Sequence, residues 1–562
     1  MTKLPARFWQ PQFHTEHRPD GTILMWQDGV ADPIATSIPA RIGHWASTTP
    51  DATALAQRTG DGGDWQRISY ANLWNRMRRI GAGLLARGLG QDKPLMILSE
   101  NALDHAVLAL AGQYVGVPTA AVSTAYSLAS GTHDKLKDMA AQLSPGMIHA
   151  SDGDRYAAAI AAIKDDAQVV VSHGAGDLTV TDLMMDDTAS ADAAFAALTP
   201  DMVAKYLFTS GSTGSPKAVI NTVGMLIRNQ DMVADCFQFL RDHPPVVCDW
   251  APWSHTASGN KVFHMVLCHG GAFYIDAGKP APGAIDETLR NLHEIAPTWY
   301  FNVPAGYEML LDAFRKDHAL AQRFFGNLDM MMYAGAGMAQ HIWDGLRDMA
   351  RQVTGHGVLL TTALGATETG PFCLMCTEQQ DAPGNIGVPA RGVTLKLVPN
   401  EGKLEARVKS PSITAGYLNE PALTADHFDD EGFYLLGDAI RPADPDDLTQ
   451  GFFFDGRLAE NFKLATGTWV AVGALRAAMV DHFGGLLRDV VILGENADEL
   501  AALAFPADGL LDQTDAMGRQ GHRLGLSRGA DGGAANPARS GQGRGDGQGL
   551  DQPARRDPAQ AR

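Results

Sequence analysis

Between Ser69 and Thr361 short apolar runs alternate with stretches of helical periodicity, and this alternation narrows the fold more than any other feature of the chain. Behind a capping Ser69, the apolar residues Leu73, Met77, Ile80 and Leu84 fall three and four apart, which predicts an amphipathic helix ending at Gly88. Residues 94–98 read as a short buried strand, 103–114 return to helical spacing, and 115–122 are apolar again. Further apolar runs occur at 168–171, 202–208, 245–248, 298–301, 330–333 and 358–361. Strands alternating with helices imply right-handed crossovers and mostly parallel sheets covered on both faces, an α/β fold. Around 392–398 and 403–408 the period changes to two, which suggests an antiparallel ribbon or small barrel. At 562 residues the chain has room for several structural units and is too long for one small module.

Charge excludes some partners. With 64 acidic against 45 basic residues the net charge is −19, which repels a nucleic-acid backbone or an anionic membrane surface. The first nine residues lack the apolar core of a signal peptide, and 106–122 carry Gly112, Gln113, Gly116 and Pro118, so a buried helix fits them better than a bilayer span. The expectation is a cytoplasmic protein with no nucleic-acid or membrane partner. Five cysteines, an odd number spread through a large chain, imply no disulfide framework. Cys373 and Cys376 have a redox or metal spacing but no second pair, and are read as core packing. From about Ala507 the chain is rich in Gly, Arg, Asp, Gln, Ala and Pro, with no aromatic residue after Phe505. Such a segment buries too little apolar surface to offset its ordering entropy, and disorder is expected over 507–562.

The strongest chemical signal is Thr209-Ser210-Gly211-Ser212-Thr213-Gly214-Ser215-Pro216-Lys217, which follows an apolar run. A strand delivers a loop dense in hydroxyls and glycines, whose backbone N–H groups can wrap phosphate oxygens while Lys217 adds a point charge. It is not the Walker loop, because a Pro precedes the Lys and Gly-Lys-Ser/Thr is absent. Four other stretches follow in order: Asp249 to His255, with Trp253 next to Ser254; Tyr333-Ala334-Gly335-Ala336-Gly337-Met338; Ala363-Leu364-Gly365-Ala366-Thr367-Glu368-Thr369-Gly370; and Tyr434-Leu435-Leu436-Gly437-Asp438, with Asp455-Gly456-Arg457 beyond it. Taken singly they are weak. His255 alone is equally a satisfied histidine near a strand end, and Glu368 alone is an ordinary solvated acid.

Taken together and in this order, from about Trp45 to Pro506, the motifs resemble the acyl-adenylate-forming superfamily of acyl- and aryl-CoA synthetases, luciferases and peptide-synthetase adenylation domains. The resemblance implies ATP, Mg²⁺ and CoA as co-substrates and metal. It implies that Thr209, Ser210, Gly211, Ser212, Thr213, Gly214 and Lys217 surround phosphate, and that Gly335, Ala336 and Gly337 lie on the adenine side. Thr367 would then meet the α-phosphate, Glu368 hold Mg²⁺, Asp438 bind the ribose, and Arg457 reach the ribose and phosphates from the hinge. Trp253, His255, Tyr333 and Gly365 would shape the acid site, with His255 gating it, and Gly467 would line the CoA path. Lys217, Thr367, Glu368 and His255 are thus the expected catalytic set. The text from Asp455 to Arg476, with 249–260 and Ser123 to Leu128, resembles the feruloyl-CoA synthetase branch, which implies a hydroxycinnamate such as ferulate as the aryl acid.

Two departures bear on activity. Leu364 stands where many relatives stack an aromatic residue on adenine, and no lysine follows Lys463, whereas relatives carry one near the C-terminus that bridges carboxylate and α-phosphate. The composition after Pro506 is what a shifted reading frame in a GC-rich gene yields. The expected organisation is a large AMP-binding domain over 1–454, an incomplete, mobile α+β subdomain over 455–506, and the tail 507–562. An aryl-acid:CoA ligase impaired in adenylation is the leading reading; a weakened nucleotide- or acyl-adenylate-binding protein and a fatty-acyl-CoA ligase are the alternatives.

Overall fold

The Ser69 hydroxyl accepts the Asn72 N–H at 3.3 Å and starts the helix Tyr70–Ala86, whose Leu73, Met77, Ile80 and Leu84 are buried in the main core. The next helix, Leu103–Val115, is apolar on nearly every face and correspondingly buried; it ends at Gly116, whose φ of 70° is the left-handed conformation that glycine supplies. This computed structural model describes residues 8–506, apart from 61, 210–214, 461, 467, 471, 484 and 485. The tail 507–562 therefore lies outside the described residues, as do Ser210, Gly211, Ser212, Thr213, Gly214 and Gly467. The chain divides into two compact units, Met1–Asn461 and Phe462–Arg562.

In the first unit the helices cover three largely parallel sheets. A seven-stranded sheet runs in the order Lys217–Thr222, Val203–Thr209, Thr119–Ala121, Leu95–Leu98, Met147–Asp152, Gln168–His173, Leu178–Thr179; every pairing is parallel except the first. A four-stranded sheet contains Val246–Asp249 and Ala272–Ile275 in parallel, and a three-stranded parallel sheet contains Trp299–Asn302, Met330–Tyr333 and Leu359–Thr361.

The period-two segments form the hairpin Thr394–Asn400 and Lys403–Lys409. Its turn places Glu401 at φ 50° and Gly402 at φ 84°, two successive left-handed residues of the kind that match the twist of paired strands. The ribbon extends further than its alternation indicates. Short strands at Ile23–Trp26, Tyr434–Pro442, Phe452–Arg457 and elsewhere join it in an antiparallel sheet of nine strands. Those added strands are too short or too mixed to show a period, and they are held by pairing rather than by pattern.

The second unit has the helix Val472–His482 and the hairpin Leu487–Leu493 with Ala501–Pro506, around a small core of Val470, Leu487, Val490 and Ile492. Val491, Leu493, Leu503 and Phe505 are exposed on that hairpin. Among the described residues no helix is long and apolar enough to cross a membrane. All five cysteines are buried free thiols; burial pushes the Cys373 and Cys376 thiols up to about 12, which suits packing and not metal or redox chemistry.

Candidate active site

The loop expected to hold phosphate is pinned at both ends. Thr209 closes one strand and lies directly opposite Lys217, which opens its antiparallel partner at the sheet edge. Two side-chain contacts fix its return arm: Ser215 Oγ donates to Asp138 (3.1 Å) and Gln142 Nε2 to the Pro216 carbonyl (2.9 Å).

Residues 414–418 run alongside the strand that Lys217 begins. Ile220 N–H donates to Gly416 O (3.0 Å), Leu418 N–H to Ala218 O (2.9 Å) and Thr414 Oγ1 to Ile220 O (2.6 Å). This pairing sets Tyr417 beside Lys217, whose Nζ sits 5.6 Å from the centre of the phenol ring. The Tyr417 hydroxyl donates to Glu368 Oε1 at 2.9 Å and is 3.0 Å from the Tyr434 hydroxyl. Lys217 and Glu368, far apart in the chain, are therefore joined through one tyrosine. Burial and the Glu368 charge hold both phenols well above their ordinary pKa, so they remain neutral hydroxyls.

The Glu368 loop is held from behind. Asn229, buried on the helix Val223–Cys236, donates to the carbonyls of Thr369 and Phe372 and to Ser412 Oγ, each at 3.2 Å. Thr414 N–H donates to Glu368 O (2.8 Å), and Ser412 Oγ to Thr369 O (2.7 Å). Gly365 is required by close approach: a Cβ there would meet Pro371 O at 1.7 Å and Phe372 Cα at 2.6 Å. Thr367 is half-buried and Glu368 buried.

Asp438 and Arg457 are register partners on neighbouring strands, with Arg457 Nε 3.4 Å from Asp438 Oδ1. Asp438 is 6% exposed and its Oδ1 has no hydrogen-bond donor among the described residues. Burial lifts its carboxyl to about 6, against the opposing pull of Arg457. A buried carboxylate short of donors suits a ligand that brings hydroxyls, as a ribose does.

The remaining expected residues separate into an outer and an inner group. Gly335, at φ 88°, Ala336 and Gly337 are exposed just past the carboxyl end of the parallel strand Met330–Tyr333, the end where open α/β sheets bind ligands. His255 is exposed, with Nδ1 accepting Ala257 N–H at 3.2 Å. By contrast, the Trp253 side chain packs in the core against His105, Phe263 and Phe273. Tyr333 is buried against Trp343, and its hydroxyl accepts Gly384 N–H at 2.8 Å. These two aromatic side chains face inward and support the segments that carry His255 and Gly335.

The residues fit a substrate-bound divalent cation. Among the described residues no cluster of three or more His, Cys, Asp or Glu could hold a metal by itself, and Glu368 offers a single hard carboxylate. That is the way Mg²⁺ is commonly bound when a nucleotide supplies its other oxygens. Sequence reasoning missed Tyr417 and Asn229 as site residues and met Tyr434 only as the head of the stretch that ends in Asp438. The contacts of Tyr417 and Asn229 come from tertiary structure alone.

An α/β body with a strand-borne Ser/Thr/Gly loop, a linked Lys and Glu, and an Asp–Arg pair defines a nucleotide-handling enzyme. The AMP-binding enzyme family matches residues 42–418, and the chain belongs to it. Among similar proteins, the 3-hydroxybenzoate–CoA ligase of Aromatoleum sp. (strain CIB) is 24% identical over 480 residues, covering 82% of this chain and 85% of that protein. The 4-coumarate–CoA ligase 1 of Oryza sativa subsp. japonica is 26% identical over 479 residues, covering 78% and 77%. The crystal structure of apo MatB from Rhodopseudomonas palustris superposes with a TM-score of 0.64 at 22% identity, over 86% of this chain and 92% of that one, and shows the same fold.

Proposed function

We propose that this chain is an ATP-dependent acid:CoA ligase that activates a hydroxycinnamate such as ferulate through its acyl-adenylate. The observation that carries the reading is the linkage of Lys217 to Glu368 through Tyr417, beside a hairpin loop of phosphate-binding composition. The similarity to a hydroxybenzoate ligase and a coumarate ligase supports an aryl acid.

In this reading the acid's carboxylate oxygen attacks the α-phosphorus of ATP and pyrophosphate leaves. The CoA thiolate then attacks the acyl carbon and expels AMP. Lys217, Thr209, Thr367 and the backbone N–H groups of 210–214 would stabilise the charge that builds on the α-phosphate. Asp438 accepts the ribose hydroxyls, Arg457 adds charge beside them, and Gly335, Ala336 and Gly337 let the backbone approach adenine. Glu368 would hold Mg²⁺, which neutralises phosphate charge when bound. His255 borders the acid, and Gly467 lines the CoA path. We assign the AMP-binding domain, expected over 1–454, a boundary carried past the end of the strand Phe452–Arg457, because that strand pairs within the first unit. The C-terminal subdomain follows it up to 506 and the tail covers 507–562, and we place the protein in the cytoplasm.

A second reading, a nucleotide- or acyl-adenylate-binding protein slow in adenylation, is favoured by the absence of any lysine after Lys463. Pyrophosphate release with ferulate and with decanoate, together with thioester formation from supplied feruloyl-AMP, separates the cases. Release with ferulate alone supports the aryl ligase. Release with decanoate alone makes it a fatty-acyl ligase. Thioester without release supports the weakened protein.

A further inference from the structure

The strands on either side of residues 210–216 carry a second polar pair that the proposed chemistry does not use. Side chains alternate along a strand, so Lys205, Leu207 and Thr209 share one face with Lys217, Val219 and Asn221 of the partner strand. Thr209 lies opposite Lys217 at the phosphate end of that face, and Lys205 lies opposite Asn221 about 13 Å behind it. Both are buried, Lys205 at 7% exposure and Asn221 at 0%. Among the described residues no carboxylate pairs with Lys205, and desolvation draws its pKa down to about 7.

Both side chains end on the turn behind His255. The Lys205 ammonium donates to Gly259 O at 3.2 Å, and Asn221 Oδ1 accepts from Asn260 Nδ2 at 2.8 Å. The Asn221 amide also donates to Val219 O (3.0 Å), which fixes its own orientation. Gly259 N–H donates to His255 O at 2.8 Å, so the residue that Lys205 holds is the one that holds the His255 backbone. Gly259 and Asn260 belong to the π-helical turn Ala257–Val262, a geometry that recurs at functional sites. Ser258 Oγ ties the same turn to the buried Asp249 at 2.5 Å. Gly259 itself is packed too closely for a side chain, since a Cβ would meet Trp253 O at 2.2 Å. His255 is exposed, and its ring is held from this turn by Ala257 N–H at 3.2 Å.

We infer that Lys205 and Asn221 are positioning residues, a cross-strand pair that holds the turn behind His255 and so fixes this histidine relative to the strand ends that carry Thr209 and Lys217. This rests on the reading of His255 at the acid site and deepens it. An acid has to bring its carboxylate to the α-phosphate, so the groups that border the acid and those that meet phosphate need a fixed separation. One pair of strands reaches both. A lysine buried for packing alone makes a different prediction: methionine, close to it in length and free of its desolvation cost, would replace it with no effect on ligands.

The test is calorimetric binding of ferulate and of ATP to the full chain and to Lys205→Met, each with His255 intact and as His255→Ala. Binding is read directly, so slow adenylation does not mask it. Lys205→Met should bind ferulate about three- to tenfold more weakly with ATP affinity unchanged, and the loss should vanish in the His255→Ala background, because effects that act through one group do not add. Asn221→Ala, which releases Asn260, should give the same selective loss. Ring NMR of histidine-labelled protein supplies a readout without any ligand: the His255 signal, identified by its disappearance in His255→Ala, should move in Lys205→Met. An unchanged His255 signal overturns the inference. So does a ferulate loss of equal size with and without His255, or a loss of ferulate and ATP binding together. A wild type that binds no ferulate overturns the aryl-acid reading instead, and the His255 signal then decides whether the pair positions that residue.

Discussion

Asp438→Asn should make the protein more stable and less able to hold nucleotide. The Asp438 carboxyl is buried and its folded-state value is raised from an ordinary 3.8 to about 6. At about 1.4 kcal/mol per tenfold change in proton affinity, ionising it in the folded state costs about 3 kcal/mol. The direction follows from proton counts. Between about pH 4 and pH 6 the folded state keeps a proton that the unfolded chain has released, so stability falls as pH rises, and the full cost applies above pH 6. Asparagine removes the charge and keeps the shape; the exposed Arg457 it leaves behind loses little. Expected, therefore, are equal stabilities near about pH 4 and a gain of about 1–3 kcal/mol for the variant at about pH 7.5, read from urea denaturation across that range. ATP should raise the melting temperature of the wild type and not that of the variant, because the Asn amide cannot accept from both ribose hydroxyls as a carboxylate does. A variant less stable than wild type at about pH 7.5, or a difference that is flat with pH, would refute the argument that burial of this charge is uncompensated.

Replacing both Thr213 and Lys217 by Ala should lower ATP-dependent turnover by about two to three decades with acid affinity unchanged, the effect of removing about 2–4 kcal/mol of charge-assisted stabilisation; steady-state kinetics against each substrate check it. Glu368→Gln should lower activity and raise the Mg²⁺ concentration needed for half-maximal rate together, since an amide binds a hard cation poorly. Gly365→Ala should destabilise the protein by about 1–3 kcal/mol and displace the Glu368 loop, because the added Cβ meets backbone atoms that cannot rotate away; thermal melts and Mg²⁺ titration report the two effects. A chimera carrying a lysine-containing C-terminal subdomain should release pyrophosphate about two to three decades faster than the native chain, with little change in thioester formation from feruloyl-AMP; equal rates would remove the case for impaired adenylation.

The parts of the fold visible in the sequence are those where one strong local signal decides the outcome. The Ser69 cap and the apolar spacing of Tyr70–Ala86 leave only one face to bury, so pattern and structure coincide. The ribbon from 394 was readable because alternation and a Glu-Gly turn agree. Its neighbours Ile23–Trp26 and Phe452–Arg457 were not, since a strand of a few residues takes its identity from the partner it pairs with. At the candidate site, motif text pointed to Lys217, Glu368, Asp438 and Arg457 but not to the tyrosine that lies between the first two. Tyr417 and Asn229 act through contacts across large stretches of sequence, which no local spacing encodes. Trp253 and Tyr333 show the converse: an aromatic residue inside a recognisable motif turns its side chain into the core, while His255 and Gly335, two residues further on, are exposed.

The placement of the lysines sharpens the question of what cation serves the reacting phosphate. Lys205 and Lys261 are both buried, and desolvation draws each down to about 7; Lys205 donates to Gly259 O at 3.2 Å and Lys261 is enclosed by Met332 and two rings. Neither reaches the phosphate hairpin in this arrangement, and moving a buried ammonium to it would require opening the core around Phe237 and Phe372. Lys217 differs on both counts. It stands at the base of the hairpin, is half-buried, and rests on the ring of the tyrosine that also holds Glu368. An aromatic face attracts the ammonium more weakly than a carboxylate would, so Lys217 remains available to an incoming phosphate while Tyr417 limits where it waits. If this chain adenylates at all without a C-terminal lysine, Lys217 is the residue whose charge the α-phosphate meets, and Tyr417→Phe should then preserve that charge while loosening Glu368.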